Sequence, residues 1–192
     1  MARPQLVSEA DLIDRLGGVF RDVGYAGASM SALAEASGLV KASLYHRFPG
    51  GKRQMADEVL ADAGRWLTDH VLDPLTRTGD PRERLAVALA ALDAFYKSGR
   101  KGCLLNMLSS PRQDDGPFSP AVKATIEALV TALASVATDA GLPQTEALSR
   151  ALRSVMLLQG SRVLSRGLGS TGPFAACLAD LPDMLFAPEI RS

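Results

Sequence analysis

Little in this chain suits metal or redox chemistry. Of its 192 residues only two are cysteine and two are histidine. Cys103 and Cys177 form neither a CxxC pair nor a Cys/His cluster, and His46 and His70 have no carboxylate at ligand spacing. A structural zinc site, a disulfide framework, any other metal site and a cofactor are therefore not expected, and both thiols should be buried and reduced. No apolar run approaches the roughly 18 residues that span a bilayer, and the start, MARPQLVSEADL, lacks the apolar core of a secretory signal. The expectation is a cytoplasmic protein with no membrane partner. Catalytic signatures are missing too: there is no GxSxG, no P-loop and no paired His/Cys arrangement, so an enzyme is not expected. Net charge is zero, from 21 basic and 21 acidic residues, and aromatics make up only 5%. What remains is a chain with 47% hydrophobic residues, enough for a globular core.

Those apolar residues recur at helical spacing, and no segment alternates as a strand would, so the fold class is all-α. Leu12, Ile13, Leu16, Val19, Phe20 and Val23 mark a first helix over about 8–23, with Ser8 as N-cap and Gly24 as stop. A two-turn helix starts at Ser29 and ends at Gly38. A third runs from Val40 to Phe48 and stops before Pro49. Beyond Gly50-Gly51 the pattern lengthens. One helix reaches about Leu72; Asp80-Pro81-Arg82-Glu83 opens another that ends at Gly99; Cys103–Leu108 is a short apolar piece; and SSPRQDDGPFS is a polar loop. Three further helices begin near Ser119, Thr145 and Gly172, with Pro182 expected to kink or shorten the last. The domain reading is a helix-turn-helix domain over 1–52 and a larger helical domain over 53–192.

Within a chain of zero charge, Ser37–Lys52 reads SGLVKASLYHRFPGGK and contains no acid; with Arg53 it gathers four cations, the others being Lys41, Arg47 and Lys52. Two short helices joined at a glycine, the second small-sided and basic, have the geometry that enters a DNA major groove. Ala42 and Ser43 keep the helix slim, and Lys41 can donate to guanine or phosphate. Tyr45, Lys52 and the helix start at Ser29 can hold phosphates. A bland role stays open beside each: the cations could form a solvated face, Tyr45 could pack under its own helix, and His46 could be a plain surface residue.

Phe20 with Gly24-Tyr25, then Ser29–Ala34, then Ser37–Pro49 and Lys52, resemble the DNA-binding domain of the TetR family of bacterial transcriptional regulators. The motif covers about residues 8–60. The resemblance implies a homodimeric repressor released from a palindromic double-stranded operator by a small molecule, and it implies that Ser29, Lys41, Ser43, Tyr45, His46 and Lys52 face DNA. The Phe48-Pro49-Gly50-Gly51-Lys52 form, with Gly102-Cys103, is similar to a subgroup of regulators of drug-efflux and flavonoid-responsive genes. The stretch before the first helix carries one cation, Arg3.

The larger domain is expected to bind ligand and to dimerise. Trp66, Phe95, Cys103, Asn106, Met107, Phe118 and Gln159 combine aromatic or apolar bodies with a few polar groups, as a ligand pocket does, although each could be simple core. With no acidic or basic cluster among them, a neutral, largely apolar effector is expected. The middle of the segment 145–168 is apolar nearly all round, which suits burial between layers or against a second subunit, with Gly160 and Ser161 allowing close approach. Two further functions fit the sequence less well: an enzyme on a helical scaffold, and a helical module that only sequesters a hydrophobic compound.

Overall fold

The structure is a computed structural model that describes residues 7–109 and 116–186. Its helices are α1 (Glu9–Gly27), α2 (Met30–Ser37), α3 (Lys41–Arg47), α4 (Gly51–Leu67), α5 (Asp73–Thr76), α6 (Pro81–Tyr96), α7 (Leu104–Leu108), α8 (Ser119–Asp139), α9 (Gln144–Leu168) and α10 (Gly172–Phe186), with a π-helical turn, Thr68–Leu72, between α4 and α5. No strand occurs among the described residues, and the all-α reading holds. The contacts divide the chain into one unit of Met1–Arg65 with Leu104–Ser119 and another of Trp66–Cys103 with Pro120–Ser192. The division falls inside α4 rather than at 52/53, and a later segment returns to the first unit. Arg3 and residues 110–115 of the expected polar loop lie outside the described residues.

The first unit is built by local signals. Ser8 accepts from the Asp11 amide at 3.1 Å and starts α1. At Gly24 the backbone takes φ 70°, ψ 179°, a region open in practice only to glycine, so the regular helix stops where the sequence placed its end. The Met107 carbonyl of α7 lies 3.2 Å from where a Cβ on Gly24 would stand, so the same glycine also admits the returning segment. Ser29 caps α2 by accepting from the Ala32 amide at 3.1 Å. Gly38, left-handed at φ 72°, closes that helix, with the Leu39 amide donating to the Ala34 carbonyl at 3.2 Å. Phe20, Leu33, Leu44, Phe48 and Met55 are fully enclosed and form the core on which α1 to α4 converge.

In the second unit Asp80 accepts from the amides of Arg82 and Glu83 at 2.9 and 3.0 Å, as its start motif implied. Here α6 ends at Tyr96, three residues before Gly99. Lys97, Ser98 and Gly99 all take positive φ and turn the chain away. A Cβ on Gly99 would stand 2.8 Å from Phe174, so this turn packs directly on α10. α9 and α10 form a hairpin, pinned where Ser165 accepts from the Phe174 amide at 3.2 Å. The helix α10 continues through Pro182 to Phe186, so the proline does not shorten it. Both cysteines are buried and unpaired, and burial pushes the Cys177 thiol up. α8 is long and apolar enough to cross a membrane by length and composition alone, with mean hydropathy 1.4. Its apolar positions are spread past Lys123 and Glu127, so it does not read as an uninterrupted run.

Candidate nucleic-acid interface

Leu44 is the anchor of α3. It is fully buried, and at about 100° per residue it places Ala42 and His46 on the opposite side of the helix. Lys41, Ala42, Ser43, Tyr45 and His46 are all exposed, with Tyr45 51% accessible. Ser29 is exposed at the start of α2; its oxygen accepts from the Ala32 amide while its hydroxyl hydrogen can still be donated. Val40, 69% exposed, precedes α3 and presents a branched apolar side chain beside Lys41. In the sequence pattern Val40 marks only a helix start. A β-branched residue just ahead of a basic helix could have flagged it as a partner for a thymine methyl group.

The four cations separate into two kinds. Arg47 is a clamp between helices: it reaches Glu58 of α4 at 2.9 Å and contacts Glu9 of α1, and its guanidinium lies 4.5 Å from the Phe48 ring centroid. Lys52 donates to the Tyr25 carbonyl at 2.8 Å and sits 4.5 Å from the Tyr25 ring centroid. Arg53 pairs with Asp57 at 2.8 Å, donates to the Pro117 carbonyl at 2.9 Å and covers the Phe118 ring. Among the described residues only Lys41 of the four makes no hydrogen bond or ion pair. The all-positive run is thus largely a set of fastenings. Lys52, half-buried, keeps two ammonium hydrogens beyond the one given to Tyr25, so it can still meet a phosphate.

The Arg47 clamp has a testable pH signature. Its hydrogen bond to Glu9 holds that carboxyl below the usual carboxylate range, while Arg47 itself is raised by the same bond and by Glu58. A depressed folded pKa adds stability above the unfolded value, and that stability is lost as pH falls through the folded one. Both partners are substantially solvent-exposed, so Arg47→Met should cost only about 1 kcal/mol. Urea titrations should show the gap to the parent at neutral pH and low salt. It should close in molar salt and on acidification through the carboxylate range.

The expected ligand residues do not fall in one unit. Trp66, Phe95, Cys103 and Gln159 belong to the second, where Trp66 stacks on Phe95 at 4.0 Å and Cys103 lies 3.6 Å from the Gln159 carbonyl oxygen. Asn106, Met107 and Phe118 belong to the first. There Phe118 is core, edge-on to Tyr25 at 5.0 Å, and the Met107 backbone fills the space left by Gly24.

Residues 13–59, the segment that builds this surface, match the family model of the bacterial regulatory proteins, tetR family. Over this segment the chain is similar to the helix-turn-helix domain of the TetR family. The curated relatives include the HTH-type transcriptional regulator LmrA of Bacillus subtilis, 31% identical over 78 residues, 41% of this chain and 42% of that protein. The HTH-type transcriptional repressor KstR2 of Mycobacterium tuberculosis is 31% identical over 86 residues, 44% and 42% of the two chains. These matches span about two fifths of either relative, and both relatives are named as transcriptional regulators rather than enzymes. The TetR likeness extends further in shape. A TetR transcriptional regulator from Legionella pneumophila superposes with a TM-score of 0.79 at 20% identity, covering 95% of this chain and 98% of that one. A cysteine-substituted TetR-family regulator, CifR, solved with 26 bp operator DNA, superposes at 0.71 with 23% identity, covering 96% and 98%. At these identities the likeness is one of fold.

Proposed function

We propose that the protein is a homodimeric transcriptional repressor that binds a palindromic double-stranded operator and is released by a small, largely apolar effector. The observation that carries this reading is the exposed face of α3, where Lys41, Ala42, Ser43, Tyr45 and His46 stand clear of a buried Leu44. Ser29 and Lys52 flank that face as phosphate contacts. Dimerisation is supported by α9, whose exposed Leu148, Leu152, Met156, Leu164 and Leu168 follow each other at four-residue intervals, with Gly160 completing the series. Such a ridge is what one helix offers another in crossed packing, and a row of large apolar side chains left in water marks an interaction surface. Gly160 has open space around it, while Ser161 is buried within its own subunit, so only the glycine of that pair can serve a seam. α4 runs unbroken from Lys52 to Trp66 and is the lever through which an effector would change the spacing of the two recognition helices. The Phe48–Lys52 form is the basis for placing the chain with drug- and flavonoid-responsive regulators. Gly51 of that form is held at φ 63°, which favours glycine. As a DNA-binding regulator it would act in the cytoplasm.

The test is a mobility shift with DNA flanking the protein's own coding region at two salt concentrations. A selective complex is expected, with a palindromic footprint. With about six to ten phosphate contacts per dimer, affinity should fall by about a thousandfold or more between 50 and 200 mM salt. Only weak binding, equal on every sequence, would favour the sequestering module.

A further inference from the structure

Among the described residues four arginines are buried: Arg21, Arg84, Arg150 and Arg162. Arg84 is paired with Asp139 at 2.6 Å, Arg150 with Glu146 at 2.5 Å, and Arg21 lies 4.0 Å from Asp14. Arg162 differs. It is 7% exposed, has no ion pair, and its Nε has no hydrogen-bond partner. What it touches is the ring of Tyr96, 4.2 Å from the guanidinium. Asp180, exposed on α10, and Arg162 act on the Cys177 thiol with opposite signs, yet the two make no ion pair with each other. A cation taken out of water and left unpaired is costly, and one aromatic face does not repay that cost. Folding therefore holds a positive group that has no acidic partner among the described residues.

The surroundings indicate what that is. Gln159 lies one turn earlier on α9, and because its carbonyl oxygen faces Cys103 at 3.6 Å its N–H groups remain available as donors. The Tyr96 hydroxyl is 3.7 Å from the same sulfur. Phe95 stands edge-on to Tyr96 at 5.0 Å, and Phe174 at 5.9 Å, so the polar groups are set in an aromatic wall. Among the described residues no carboxylate pairs with this cluster. A guanidinium fork with an amide beside it matches a planar carboxylate, and the aromatic wall matches an apolar body.

We propose that Arg162, with Gln159 and Tyr96, binds the carboxylate of an aromatic acid, and that such an acid is the class of effector the protein senses. This rests on the regulator reading and narrows it. Such an effector would be charged where the sequence alone leads to a neutral one, because the cation lies in a segment whose sequence pattern marks only core.

The test uses the full-length protein without DNA. Trp66 is the only tryptophan and stacks on Phe95 in the same unit, so its fluorescence reports on this region. The probes are naphthalene-2-carboxylate and 3-phenylpropanoate, each against its primary amide, with melting temperature as a second readout. At least one acid should bind about tenfold or more tighter than its amide, since a charge-assisted contact is lost in the amide. Arg162→Met should erase that preference, and Arg162→Lys should restore part of it. With its unpaired cation gone, free Arg162→Met should melt at or above the parent temperature. Equal binding of acid and amide, no binding of either acid at millimolar concentration, or a preference that survives Arg162→Met would overturn the proposal. So would a destabilised Arg162→Met, as expected of an arginine that only packs; the acid-against-amide comparison on the parent needs no variant. Mobility shifts with free Arg162→Met keep the two readings apart: intact DNA binding with a failed acid test removes the effector class and leaves the regulator.

Discussion

Alanine at both Lys41 and Tyr45 is expected to weaken binding to the selective DNA site by about a thousandfold while leaving the melting temperature where it was. Both side chains are exposed, and Lys41 makes no hydrogen bond or ion pair within the described chain, so the fold has little to lose. Each contact to base or phosphate is worth about 1 kcal/mol or more, and a dimer makes every contact twice. Two contacts in two copies give about 4 kcal/mol, which is the stated factor. Removal of two lysine charges per dimer should also flatten the salt dependence by about two units of log–log slope. The measurement is a titration of labelled site DNA at several salt concentrations, beside a thermal melt. Undiminished affinity in a folded double variant would move the interface off α3.

Glutamate at both Leu152 and Leu164 should leave a folded monomer at concentrations where the parent is expected to sediment as a dimer. These leucines are 50% and 57% exposed in the single chain, so intrachain packing loses little when they change. Across a two-fold seam each is covered by the partner, and four leucines at about 1.5 kcal/mol or more amount to about 6 kcal/mol. The carboxylates add a desolvation cost of the same sign. Sedimentation velocity at micromolar protein, with circular dichroism to verify helix content, tests this. The monomer should lose operator affinity as well, because one recognition helix reads too few base pairs to be selective. A double variant that still sediments as a dimer would remove the α9 ridge from the seam.

The sequence was most legible where structure is local. The caps at Ser8, Ser29 and Asp80 and the left-handed turn at Gly38 need only neighbours within three or four residues, and each stands where its signal placed it. The cations were legible as residues but not as roles. Arg47 reaches Glu9 across 38 positions, Lys52 reaches Tyr25 across 27, and Arg53 reaches Pro117 across 64, distances over which no periodicity speaks. Likewise α7, five residues long, is too short to show a helical stripe, so its attachment to α1 beside Gly24 could not be read. In α9 apolar residues surround the helix. Pattern alone cannot separate Val155 and Leu158, which face their own core, from Leu152 and Met156, which do not. The ligand residues were the least legible, since the unit a segment joins is set by long-range contacts: Asn106, Met107 and Phe118 belong to the first unit and Trp66, Phe95, Cys103 and Gln159 to the second.

With Arg47, Lys52 and Arg53 each engaged in fastening helices, the surface proposed to meet DNA is separable from the scaffold that presents it. Positions 40–43, 45 and 46 form a cartridge: their side chains can be exchanged for those of another regulator to redirect the protein to a different site. Leu44 and Arg47 have to stay, because one seats the cartridge and the other bolts it to α1 and α4. A graft that copied a foreign recognition helix whole, arginine included or replaced at random, would change the mounting along with the message.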